Sequence, residues 1–184
     1  MKTPPPDLGG ESWAFALDVY DRPGVSDACV KLQNQAGVDV LILLVTAFAA
    51  VRLGILLTPP EINELDNACG AWREQIVRPL RAIRTGLKTG PAPAPGSETE
   101  QFRSKVKAIE LDAERLQNQL LAASLPRRPA KPQDVNADEL RFVLRDVTTL
   151  FLEKHGSKPS TDLVSAIDTI VDAVTQGAHR QLLP

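Results

Sequence analysis

The chain has 184 residues, 43% of them hydrophobic and 24% charged, which is enough apolar material for a core and a length that suits one domain with or without a helical appendage. Lys and Arg number 21 against 23 Asp and Glu, and the resulting net charge of -2 argues against a nucleic-acid binder, whose domain would be clearly basic. Cys29 and Cys69 lack any CxxC partner, so neither a disulfide framework nor a zinc site is expected, and two reduced core thiols in a cytoplasmic protein are.

Residues 1–10 hold one Lys, three prolines and two glycines without an apolar stretch, so they predict a loose arm rather than a signal or transit sequence. Ser12 is placed to cap a first helix running to Tyr20, and Pro23 to occupy the first turn of a second helix that Gly37 ends. Asp39 can accept from the free amides opening a third helix, which stops at Gly54. Its uncharged run, residues 40–51, is short for a membrane span of about 20 residues and predicts a buried core helix.

Thr58 and Glu61 form a capping box with Pro59 at the tolerated first position, starting a helix through Trp72 towards Lys88 that Pro79 should kink near Val77 and Arg78. Residues 89–96, rich in Pro and Gly, read as a linker, and Ser97 with Glu100 as a second capping box. Beyond it Phe102, Val106, Ile109, Ala113, Leu116 and Leu120 make the seam of a long amphipathic helix, whose partner is either the bundle itself or a second copy in a homodimer. Three prolines and three basic residues within 126–133 mark a second linker. A third box, Asn136 and Glu139, opens a helix with the stripe Leu140, Val143, Leu144, Val147, Leu150 and Phe151, ended by Gly156. Ser160 caps the last helix, which carries Leu163, Ile167, Ile170, Val171 and Val174 on one face.

No strand alternation occurs, so the expected fold is all-α, a compact helical bundle with a C-terminal helical extension. Its parts are a flexible arm (1–11), the bundle domain (12–125), a Pro/basic linker (126–135) and a C-terminal helical hairpin (136–184).

Residues 13–25 read W-x-F-A-L-x-x-Y-x-x-P-G-V, residues 32–40 L-Q-x-x-x-G-x-D-V, and residues 72–88 W-R-x-x-I-V-x-P-L-R-x-I-R-x-x-L-K. These elements resemble a proteobacterial protein family of unknown function, with the likeness extending over residues 12 to about 124 and leaving out the stretch after Pro126. Leu41 stands where that pattern has a polar residue such as Asn, which makes the third helix more apolar. The resemblance implies a fold and brings no activity with it.

No acidic residue lies between Glu74 and Glu98, so Arg73, Arg78, Arg81, Arg84 and Lys88 form a local basic element. On a regular helix Trp72, Ile76, Leu80, Ile83 and Leu87 share an arc of about 80° and the basic residues a neighbouring arc of about 140°, predicting one packed side and one cationic side. Guanidinium forks suit carboxylate and phosphate, although basic residues near a helix C-terminus are also favoured simply by its dipole. Trp13, Phe15 and Tyr20 either line a ligand cleft or pack in the core, and Trp72, a further candidate, is expected to pack against Trp13 and tie the first helix to the fourth.

Catalytic grammar is missing. His155 and His179 have no partner at metal-ligand spacing, Glu61, Glu64 and Asp66 lack an E-x-x-H, and the pairs Asp18 and Asp21, and Asp168 and Asp172, have no metal motif around them. We therefore expect no catalytic residues, no metal and no cofactor, and no nucleic-acid or membrane partner. Two functional readings follow. One is a non-catalytic adaptor acting through protein contacts, either by the basic helix on an acidic surface or by the helix beginning at Ser97. The other is a small enzyme or anionic-ligand binder with a pocket between the first and fourth helices, distinguished by a concavity of a few hundred Å³ where Arg and Tyr converge.

Overall fold

The computed structural model describes residues 7–131 and 134–180. Their regular elements are all helical: α1 Leu8–Tyr20, α2 Val25–Ala36, α3 Val40–Leu53, α4 Pro59–Trp72, α5 Arg78–Gly86, α6 Ser97–Ala123, α7 Ala137–His155 and α8 Thr161–Arg180, with a π-helical turn Arg73–Val77 joining α4 to α5. The all-α expectation holds.

α3 is the centre of the bundle. Every residue from Ile42 to Ala50 is buried, and a helix apolar all round needs cover on all sides. α1, α2, α4, α6 and α7 supply that cover. Among the described residues no helix is long and apolar enough to cross a membrane.

Local chemistry sets most boundaries where expected. Asp39 Oδ1 accepts from the amides of Leu41 and Ile42 at 2.9 and 3.4 Å, and Gly54 ends α3 at φ 64. The amide and hydroxyl of Thr58 donate to Glu61 Oε2 at 2.8 and 2.9 Å. Asn136 Oδ1 accepts from the amides of Asp138 and Glu139, and Asn136 N donates back to Glu139 Oε2 at 3.1 Å. Ser160 Oγ receives the amide of Leu163.

Three starts differ. α1 begins at Leu8, capped by Asp7, whose Oδ1 accepts from Gly10 N at 3.0 Å, so the arm expected over 1–11 does not extend past Asp7; residues 1–6 lie outside the described residues. Ser12 sits buried inside α1 and donates to Asn118 Oδ1 at 3.1 Å, which serves a hydroxyl better than an exposed cap because it joins α1 to α6. Pro23 lies before α2, not in it: Val25 N bonds Arg22 O at 3.1 Å and Gly24 has φ 80, ψ -14, the type II turn that a Pro-Gly pair favours. Ser97 caps nothing; Gly96 takes that position, and Glu100 turns forward to Arg103, at 2.7 Å from its Nε.

The C-terminal helical hairpin packs against the bundle. α8 packs on α2 and α7 on α3 and α4, and Leu140, Val147, Phe151, Ile167 and Ile170 join the same hydrophobic cluster as α3. The Pro/basic linker is fastened on the way: Lys131 N donates to Gly54 O at 2.9 Å and Arg128 to Leu56 O at 2.6 Å. Cys29 and Cys69 are buried free thiols, each pushed up to about 12 mainly by burial, so both stay protonated at neutral pH. The side chain of His179 lies outside the described residues, while His155 is exposed and stacks on Phe151.

Candidate functional site

Pro79 has no amide to offer the carbonyl one turn back, and the hydrogen-bond ladder slips ahead of it: Arg78 N bonds Arg73 O, five residues away, in place of the regular four. The extra residue rotates everything beyond Val77 by about 100° relative to a regular helix. This overturns the expected division of faces. Ile76 and Ile83 point outward, at 37% and 50% exposure, while Arg81 and Arg84 turn in towards α6. Trp72 does not meet Trp13; its indole N–H donates to Ala113 O at 3.0 Å, fixing α4 to α6.

The seam expected on α6 is rotated too. Val106 and Ala113 are buried, but Phe102, Ile109, Leu116 and Leu120 face solvent, and the inward positions hold Glu110, Gln117, Asn118 and Leu121. Polar side chains can take a core-facing position when partners elsewhere satisfy them. Glu110 is met by Arg81 Nε at 3.0 Å and by both Arg84 Nε and Arg84 Nη2, the latter at 3.1 Å; Glu114 is met by Arg81 Nη2. Asn118 donates to Gly9 O at 3.1 Å.

Two carboxylates one helical turn apart are driven in opposite directions. Burial would raise Glu110, but the Arg84 and Arg81 guanidiniums outweigh it and hold its carboxyl below the ordinary value. At Glu114 burial prevails over Arg81, assisted by the charge of Glu110, and the carboxyl is raised.

A second cluster forms where α3 begins. Arg73 Nη1 lies 2.6 Å from Asp66 Oδ1 and 3.1 Å from Asp39 Oδ2, and its guanidinium sits over the Phe151 ring. Asp39 Oδ2 also accepts from Gln117 Nε2 at 2.7 Å. That bond sets the amide's orientation, since a carboxylate requires a donor. The Gln117 carbonyl oxygen is then buried with no hydrogen-bond partner among the described residues.

Between these clusters opens a cleft of about 420 Å³. Its apolar wall includes Leu17, Val30, Val38, Leu41, Leu44 and Leu111, and its polar groups include Gln33, Arg73, Arg78, Arg81, Arg84, Lys107, Asp39, Glu110, Glu114 and Gln117, with Trp13 and Tyr20 contributed by α1. Burial raises the Tyr20 phenol, which keeps its O–H. Arg78 pairs with Glu74 at 2.7 Å, so among the described residues Lys107 is the lining cation without a carboxylate within 4.0 Å.

Six of the sequence-nominated residues thus converge: Trp13, Tyr20, Arg73, Arg78, Arg81 and Arg84. Trp72 and Lys88 do not line the cleft. Sequence reading missed Asp39 beyond its capping role, and it missed Lys107, Glu110, Glu114 and Gln117. Their spacing of three, four and three along α6 was a visible signal of a single face, masked by the more apolar stripe beside it.

The structure defines an all-helical bundle with one side opened into a cleft of mixed apolar and charged lining. The chain belongs to the family described as Protein of unknown function (DUF2390), whose sequence profile matches residues 11–121. Every lining residue of the cleft, from Trp13 to Gln117, falls within that span, whereas α7 and α8 fall outside it. No curated protein and no solved structure matches the chain.

Proposed function

We propose that the protein binds a small amphipathic organic anion in this cleft, one that carries an O–H or N–H donor remote from its charge. The observation that carries the reading is Gln117, a residue of the cleft wall whose carbonyl oxygen is buried without a donor among the described residues, since leaving such a group unpaired costs about 1–3 kcal/mol. Ten residues back along α6, about 15 Å away, Lys107 offers a cation with no carboxylate within 4.0 Å among the described residues. The apolar wall lies between helices in the manner of ligand pockets generally.

The competing adaptor reading, in its basic-helix form, needs that helix to face a partner. Arg73, Arg81 and Arg84 are engaged by Asp39, Asp66, Glu110 and Glu114, which removes most of the charge it would use.

Titration calorimetry with ω-hydroxydecanoate and with decanoate tests the proposal, because the two differ only in the terminal donor. The hydroxylated probe should bind one to one and at least about tenfold more tightly, and Gln117→Leu should erase the difference. Equal affinity for both probes, or binding of neither, rejects it.

A further inference from the structure

On α6 the carboxylates that pair with Arg81 and Arg84 face the cleft, and a row of apolar side chains lies outside it. Phe102, Ile109 and Leu116 recur every seventh residue of α6, with Leu120 one turn on, at 54%, 55%, 45% and 41% exposure. Ile83 at 50% and Ile76 at 37% add to the apolar surface from the neighbouring helical rod. With 100° per residue and Ile109 as the origin, Phe102, Leu116 and Leu120 lie within about 20° of it, whereas the buried Glu110 and Gln117 lie about 80–100° to one side. The strip is about 27 Å long. A contiguous exposed strip of this kind marks an interaction surface, unlike scattered surface leucines.

We propose that this strip packs antiparallel against the same strip of a second copy of the chain, about a two-fold axis passing near Ile109. The argument for a second copy is the charge pattern along the strip. Lys105 and Asp112 flank it on the same side, about 40° and 60° from Ile109, one before and one after it. A two-fold axis near Ile109 brings Lys105 of one protomer to Asp112 of the partner subunit and repeats the pair in reverse, while Phe102 meets Leu116. Asp112 is 73% exposed and its internal contact, Arg115, stands 3.8 Å away, so it is open to such a pairing. A flank of mixed sign fits a self-complementary protein surface better than an anionic lipid surface, which would favour a run of basic residues.

Sedimentation equilibrium of the full chain at high micromolar concentration is the test. The expected species has twice the 20.0 kDa chain mass. Ile109→Glu places two carboxylates at the axis and should yield the 20.0 kDa species with an unchanged circular-dichroism spectrum, the side chain being 55% exposed. Lys105→Glu and Asp112→Lys should each weaken association, and the two combined should restore it. The proposal is overturned by a wild-type chain that stays at the single mass, by a dimer indifferent to Ile109→Glu, by a charge exchange that fails to restore, or by a monomer that floats with phosphatidylcholine vesicles.

Discussion

Arg73 and Asp66 form a largely buried ion pair, with Nη1 and Oδ1 2.6 Å apart and side chains 13% and 6% exposed. Asp66 accepts from Lys154 of α7 as well, so one carboxylate ties α4 and the π turn to the C-terminal hairpin. Burial would raise its carboxyl, but Lys154 and Arg73 outweigh that and hold it below the ordinary value. A carboxyl lowered by folding contributes stability that is complete above the unfolded value and disappears as pH falls through the folded one. Glu110 is lowered in the same sense. The melting temperature should therefore be steady near neutrality and drop below about pH 4. Asp66→Ala takes from the largely buried Arg73 the nearest of its counterions and should cost about 3 kcal/mol in urea unfolding at neutral pH; an unchanged midpoint would refute the role assigned to the cluster.

Glu114 obeys the opposite sign. Its carboxyl is raised, chiefly by burial, so its contribution is complete at pH below the unfolded value and is lost as pH rises through the folded one. Glu114→Gln should stabilise the protein at pH 7, and the advantage should shrink as pH is lowered towards about 4. Melting curves of the two proteins that stay parallel over that range would contradict this.

Thr46 is fully buried in α3, and its hydroxyl has no hydrogen-bond partner among the described residues. Replacing it with a side chain of the same shape and no polar atom removes the desolvation cost and loses no bond. Thr46→Val should raise stability by about 1–3 kcal/mol, read from chemical denaturation. A loss of stability would mean that the hydroxyl finds an acceptor in solution.

Gly37 closes α2 with φ 68, and a Cβ there would collide with the ring of His155. The ring of an exposed His can yield, but the left-handed backbone cannot be relieved. Gly37→Ala should cost about 1–2 kcal/mol, and His155→Ala in the same chain should recover only the steric part. Full recovery in the double variant would show that the backbone conformation is not the constraint.

What could be read without coordinates was whatever depends on neighbours in sequence. Asp39, the Thr58 and Asn136 boxes, Gly37, Gly54 and Gly156 act on amides and carbonyls within a few residues, so residue type and spacing suffice. The stripes of α7 and α8 and the wholly apolar α3 were legible for the same reason, since nothing polar competes for their faces. Only tertiary structure decided which way α5 and α6 turn. A one-residue π slip at Pro79 rotates the Arg row, and ion pairs between residues 26 to 33 positions apart make Glu110 and Glu114 acceptable inside while Ile83 and Ile109 go outside. The cleft exists because those two choices coincide, and a pairing across that much chain leaves no periodic trace in either helix alone.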